Sequence, residues 1–488
     1  MREIVVDLFA GGGGASEGIE KILGIPVDVA INHDPVAIAI HKMNHPETEH
    51  WTQDAWKVPP KHATRGRPVG LLWASPDCTH HSKAKGGPPK REFHRRDMAW
   101  VIEDWAREVK PRVIMMENVE EFRYWGPLDN KGNIIQSQKG TTFRAFISRL
   151  RRLGYSVQHK ELQACDYGAP TSRKRLFLIA RRDKQPIRWP IPTHGPGTQN
   201  PYRTAAKCID FSLPCPSIFD TEQEIKQKHN VRARRPLAEK TLQRIANGVK
   251  RFILDNPDLF IITIDHRGTK ASHAHDVQKM LSTITSKNRH AVIYPKLATC
   301  FVAKHFTGVV GQSLESPTGA VTSRDHHSLV TSHLLHLRNN ADAKDPGKPF
   351  PTITAGGGHA GEVRAFLTKY YGCGDGQKLD QPAPTIVSRD RMGLVTVTIQ
   401  GELYIITDIG MRMLTPRELF RAQGFSDEYI IDKTPGGKQV TKSEQVRLCG
   451  NSVPPQFAEV LVQENYISME IKPTTKRNSL QNLLETGA

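Results

Sequence analysis

Ile4-Val5-Val6-Asp7-Leu8-Phe9-Ala10-Gly11-Gly12-Gly13-Gly14-Ala15-Ser16-Glu17-Gly18 runs from a short β-branched segment through four glycines into an amphipathic pattern. That order favours a buried strand, a tight turn and a helix, because glycine tolerates left-handed backbone and lets a ligand approach the main chain closely. Counted from Gly11, Ser16 stands where the third glycine of Gly-x-Gly-x-x-Gly would be, so a dinucleotide dehydrogenase is disfavoured.

Outward from this stretch the alternation continues. A strand from Glu3 to Phe9 is followed by a helix to Leu23, a strand from Val27 to Asn32 and a helix to Asn44. Val69 to Ala74 and Val113 to Glu117 read as further strands, and Tyr155 to Leu162 with Arg175 to Arg181 as an antiparallel edge. The expected fold class is α/β, a doubly wound Rossmann-like domain. In such sheets ligands bind outside the carboxyl ends of the strands, where the motif-like residues fall.

The character changes after Arg182. Pro186, Pro190, Pro192 and Pro196 mark a boundary near residue 185, and a helical pattern spans about Glu239 to Leu254. Beyond it an internal repeat appears: Leu-Ser-Thr-Ile-Thr-Ser (281–286), Gly-Ala-Val-Thr-Ser (319–323), Pro-Thr-Ile-Thr-Ala (351–355) and Pro-Thr-Ile-Val-Ser (384–388), whose last residues are 37, 32 and 33 apart. Each runs into a polar loop, at 287–289, 324–326, 356–358 or 389–391, and then into His290, His327, His359 or Met392. The expected unit is strand, exposed loop, strand, in a mostly β region. One histidine per unit suits loop capping better than metal, since ligands must converge and the fourth unit has Met392. The Arg, Lys, Asn, Asp and Gly of the loops are types that contact phosphates and base edges.

Bulk properties agree. The chain has 488 residues, enough for two or more units, with 68 Lys plus Arg against 50 Asp plus Glu, a formal charge of +18. That balance suits a polyanionic partner. Ile4-Val5-Val6 is too short for a signal or membrane segment, so a cytoplasmic, nucleoid-associated protein is expected. Seven cysteines without a Cys-x-x-Cys pair suggest neither a disulfide framework nor a zinc site, and no metal is expected.

Three places carry candidate chemistry. Asn32, Asp34 and Asp54 follow strand segments where a ribose and an adenine amine would sit, although either acid reads equally well as a helix cap. Cys78 lies in Ser75-Pro76-Asp77-Cys78-Thr79-His80, with Lys83 and Lys85 close by, and basic surroundings raise the thiolate fraction. A lone cysteine is more often a small buried apolar residue, and its place after a strand is what separates Cys78 from the other six. Glu117, ending the strand that starts at Val113 in Glu117-Asn118-Val119, is a carboxyl placed to hold a proton, or else an exposed strand-end acid.

Taken with Thr171-Ser172-Arg173-Lys174-Arg175, Leu414-Thr415-Pro416-Arg417-Glu418 and Gly450-Asn451-Ser452-Val453, these motifs in this order resemble the DNA cytosine-5 methyltransferase family. The resemblance implies Cys78 as covalent nucleophile, Glu117 as the acid at the base, Arg175 on the base oxygen and Arg173 in support. It implies S-adenosylmethionine held by Phe9, Ala10, Gly11, Gly13, Asn32, Asp34, Asp54, Asn451 and Ser452. It implies a catalytic domain at 1–185, a target-recognition domain at 186–409 with four repeats in 271–399, closing motifs at 410–467 whose helix returns to the catalytic domain, and a polar tail at 468–488. Double-stranded DNA is the expected partner of a monomer, with or without a cognate restriction endonuclease. Asp77, Thr79 and Thr171 depart from the family's proline, glutamine and glutamine, and Asn32 from its ribose-binding acid. An RNA cytosine methyltransferase and a silent DNA-binding protein are the competing readings. The large recognition insert argues against the first and the intact catalytic set against the second.

Overall fold

The computed structural model describes residues 2–77, 97–130, 133–210, 212–238, 241, 242, 245 and 409–466, and between 260 and 408 a set of strands with their pairing. The repeat segments, their loops and most of the helical pattern at 239–254 lie outside the described residues.

The first strands are β1 (Ile4–Leu8), β2 (Val29–Asn32), β3 (Glu49–Thr52), β4 (Val69–Ala74), β5 (Val113–Asn118), β6 (Ser156–Gln163) and β7 (Lys174–Arg181). They form one sheet in the order β3-β2-β1-β4-β5-β7-β6. β1 to β5 are parallel, and β7 runs antiparallel to β5. Every residue of β1, β4 and β5 is buried, the pattern of strands covered on both faces. β3 is an addition to the strands expected from sequence. Its Glu-His-Trp-Thr is only partly buried at the sheet's edge, so it lacks the apolar run that marks its neighbours.

Helices cover the sheet. Trp100–Glu108 and Thr141–Arg152 bury Trp105, Phe143 and Phe146 in a core with Phe122 and Trp125. Helix Gly14–Leu23 packs against helix Pro455–Asn465, and Phe457 of the latter stacks on Phe177 of β7 with ring centroids 4.7 Å apart. A Cβ at Gly18 would run into the Pro455 carbonyl oxygen, so the two backbones approach as only glycine permits.

The chain is divided into two compact units. The first holds the chain up to Leu162, Arg175–Ile191 and the stretch from Val453; the second holds Gln163–Lys174 and Pro192–Ser452. The chain passes into the second unit after Ile191, and the segment around Arg173 also belongs to that unit.

The second unit's strands are β8 (Phe260–Ile262), β9 (Ala274–Asp276), β10 (Ala291–Val292), β11 (Phe301–His305), β12 (Val309–Ser313), β13 (His327–His336), β14 (Ala343–Lys344), β15 (Ala360–Lys369), β16 (Thr396–Ile399) and β17 (Glu402–Met413). One sheet has the order β12-β11-β13-β15-β17-β16, with β10 on β13, and a smaller one the order β14-β8-β9. The strands that follow the four repeat loops, β10, β13, β15 and β16, all belong to the larger sheet. Within this unit Glu418 is an anchor. It pairs with both terminal nitrogens of Arg412 at 3.0 and 2.8 Å, and accepts from the Asp210 and Thr415 amides. Among the described residues no helix is long and apolar enough to cross a membrane.

Gly18→Ala is expected to lower the stability of the first unit by about 1–3 kcal/mol, the general cost of overpacking. Thermal unfolding checks this, and a melting temperature equal to the parent's would show that the two helices part freely.

Candidate functional site

The carboxyl ends of β1 to β5 and the start of β7 share one edge of the first unit's sheet, with Asn118 opposite Leu176 in the β5–β7 register. At the end of β1, Phe9 takes a left-handed conformation (φ 63°), as do Gly11 (51°) and Gly13 (86°). The turn is held by Ala10 N–H donating to Ile31 O at 3.1 Å and Gly13 N–H donating to Ala10 O at 3.0 Å. Gly13 caps helix Gly14–Leu23 without any side-chain bond. An uncapped N-terminus presents amide donors and a positive dipole end to an anion.

At the end of β2, Asn32 Oδ1 accepts the Asp34 amide at 2.8 Å. Asp34 Oδ1 accepts from Val36 and Ala37 and caps helix Pro35–Asn44, while Asp54 Oδ1 accepts from Trp56. Both acids are therefore caps, the alternative their sequence context left open.

After β4, Ser75 N–H donates to Leu8 O at 3.1 Å, and the buried Trp73 indole donates to Ser75 Oγ at 3.0 Å. Asn118 Nδ2, at the end of β5, donates to Pro76 O at 3.1 Å, fastening the chain two residues before Cys78. Cys78, Lys83 and Lys85 themselves lie outside the described residues. Next to Asn118, Glu117 Oε1 stands 3.1 Å from Arg175 Nε, with both side chains 9% exposed. Glu117 is therefore not an exposed strand-end acid, and it has a buried cation as its neighbour.

Arg173, Asn451 and Ser452 lie in the second unit. Arg173 Nη1 donates to Gly450 O at 2.9 Å, and its own amide donates to Thr171 Oγ1 at 3.3 Å. Asn451 is exposed at the end of helix Lys442–Asn451. The buried Ser452 donates its hydroxyl to Leu448 O, and its carbonyl accepts from Gln423 Nε2 at 2.7 Å. Burial pushes the Cys165 and Cys208 thiols up to about 12 and Cys449 well above its ordinary value, which makes all three inert at neutral pH.

A polar chain not foreseen from the sequence lies beneath the glycine turn. Asp7 Oδ2 accepts from Ser16 Oγ at 2.8 Å, His41 Nε2 meets Ser16 Oγ at 3.0 Å, and His41 Nδ1 meets His50 Nε2 at 2.9 Å. If each Nε2 carries the proton, every bond has one donor and one acceptor with both rings neutral. Burial agrees: it depresses His41 well below the ordinary histidine value and His50 to about 4. Burial also raises Asp7 to about 7, only partly opposed by the Ser16 hydroxyl, and its Oδ1 has no partner among the described residues. The one signal in the sequence is an acid inside an otherwise apolar strand.

A raised carboxyl contributes stability in its protonated form, fully present below the unfolded value near 3.8 and lost as pH rises through about 7. Asp7→Asn removes that loss while keeping an acceptor for Ser16. The variant's stability relative to the parent is expected to rise by on the order of 2 kcal/mol between pH 5 and pH 8, read by denaturant unfolding at each pH. A pH-independent difference would mean that Asp7 does not titrate in this range.

The family model for C-5 cytosine-specific DNA methylases matches residues 4–466. Among curated relatives, type II methyltransferase M.AgeI of Thalassovita gelatinovora is 27% identical over 40% of this chain and 43% of its own length. M.AquIA of Picosynechococcus sp. is 25% identical over 44% and 90%, and M.HhaI of Haemophilus parahaemolyticus 32% identical over 36% and 49%. M.AquIA apart, the chain spans about half the length of these relatives.

Proposed function

The chain belongs to the C-5 cytosine-specific DNA methylase family, and on that footing we propose that it transfers a methyl group from S-adenosylmethionine to carbon 5 of a cytosine flipped out of double-stranded DNA. Cys78 is the covalent nucleophile of this reading. The observation that carries it is the buried Glu117–Arg175 pair, adjacent to the Asn118 amide that fastens the Cys78 loop through Pro76.

Carbon 5 of cytosine is a weak nucleophile, and the chemistry assigned to these residues remedies that. The Cys78 thiolate bonds to carbon 6 while Glu117 holds a proton at ring N3, so the electron pair of the 5,6 double bond becomes available at carbon 5. Arg175, beside Glu117, donates to the base oxygen. Once carbon 5 carries the methyl group, its proton passes to a solvent base, the C5–H electron pair re-forms the 5,6 double bond, and the sulfur leaves as thiolate. Arg173 acts one step back, holding the Gly450 carbonyl next to Asn451 and Ser452.

The described edge fits an adenosyl cofactor, which supplies the methyl group when bound. The uncapped N-terminus of helix Gly14–Leu23 offers donors for a carboxylate, reached through Phe9, Ala10, Gly11 and Gly13. Asn32, Asp34 and Asp54 follow β2 and β3, where ribose and adenine bind in open parallel sheets. Asn451 and Ser452, which belong to the second unit, are proposed cofactor contacts on the family resemblance of Gly450-Asn451-Ser452-Val453.

The second unit reads DNA through the loops at 287–289, 324–326, 356–358 and 389–391, and the formal charge of +18 draws the duplex in. Residues 1–185 are the proposed catalytic domain and 186–409 the recognition domain. The enzyme is proposed to act as a cytoplasmic monomer of the type II modification class.

Cys78→Ala is expected to abolish methyl transfer from labelled S-adenosylmethionine to DNA while a gel-shift assay still shows DNA binding. Near-normal product, or label entering RNA alone, would defeat the proposal. Asn118→Ala, which frees the Pro76 carbonyl, is expected to lower kcat by up to about a hundredfold, as small misplacements of reacting groups do. Calorimetry on the same variant should find cofactor affinity unchanged.

A further inference from the structure

Resting on the adenosyl-binding reading above, we propose that Asn32 recognises the cofactor's ribose oxygens as hydrogen-bond acceptors, so that adenosyl ligands with substituted ribose oxygens also bind. In an open parallel sheet the side chain ending the second strand meets the ribose, and an acid there accepts from its hydroxyls. Asn32 ends β2, half-buried, and its amide orientation is set by chemistry. The Asp34 backbone N–H can only donate, so the atom it meets at 2.8 Å is Oδ1, and the NH2 group is turned away from it. That one hydrogen bond is what the Asn32 side chain makes among the described residues.

Asp34, the next acid along the chain, commits one of its carboxylate oxygens elsewhere. Asp34 is drawn toward its own helix, with Oδ1 bound to the amides of Val36 and Ala37 at 2.9 and 3.3 Å. The strand end therefore presents a neutral donor where a carboxylate would present a charged acceptor. A donor needs only oxygen lone pairs, which a methyl ether retains. A carboxylate needs the hydroxyl proton, which the ether has lost.

Asn32→Asp separates the two cases with little change of shape. One carboxylate oxygen keeps the Asp34 N–H bond, and the other replaces the amide donor with an acceptor. The test is calorimetry on the full chain with S-adenosylhomocysteine, its 2′,3′-di-O-methyl derivative and its 2′,3′-dideoxy derivative. The parent protein is expected to bind the methylated ligand within about threefold of the unmodified one and the dideoxy ligand about tenfold more weakly. In Asn32→Asp the ratio between methylated and unmodified ligand should widen by about tenfold or more.

Equal losses for the methylated and dideoxy ligands in the parent protein overturn the inference, whether or not the variant folds. An unchanged ratio in a folded variant does the same. If the folded parent chain binds none of the three ligands, the adenosyl reading of the site falls, and the ribose inference with it.

Discussion

Strands buried on both faces leave polar side chains few places to stand, and in this sheet those places are the strand ends. β1, β4 and β5 are sealed along their whole length, so the polar groups of Asn32, Asp34, Asp54, Glu117 and Asn118 gather at or just beyond one edge. Burial at that edge requires partners. Asp34 and Asp54 turn to the amides that follow them, Asn118 to the Pro76 carbonyl and Glu117 to Arg175. The contacts these groups make fix their directions, and directional precision is what a reacting centre needs. Asp7 is the exception, a carboxyl inside the sheet, tolerated because Ser16 and two neutral histidines form a hydrogen-bonded chain from it.

The strands that build this edge were legible because apolar, β-branched runs leave a local signature. β3 was not, since a partly exposed edge strand has no need of one. Asp34 and Asp54 were readable as caps from short-range context, Asp34 above all from the proline after it. The pairing of Glu117 with Arg175 depends on the antiparallel register of β5 and β7, which no single segment encodes. Arg173 meets a carbonyl 277 residues further along the chain. His41 and His50 carry no helical or alternating pattern that would link them to Asp7. Long-range polar pairings are where reading along the chain stops.

The motifs quoted together in the sequence divide into two kinds once their bonds are known. Leu414 to Glu418 is architectural: Glu418 locks a helix start, a strand end and the Asp210 amide into one knot. Arg173 likewise serves the backbone at Gly450. Glu117 and Asn118 instead end β5, with Glu117 facing Arg175 near the start of β7. A motif's presence in the chain thus does not distinguish a group that meets substrate from one that holds the scaffold, whereas its bonding partners do.

The first unit is discontinuous, and this bears on its synthesis. Helix Pro455–Asn465, for which Gly18 leaves room and against which Phe177 stacks, is made after the whole of the second unit. On the ribosome, the apolar face formed by helix Gly14–Leu23 and β7 must wait uncovered through the translation of all the second unit's strands. Exposed apolar surface of that kind invites misassociation. Chaperone demand during translation should therefore fall on the amino-terminal sheet, the part that emerges first and closes last.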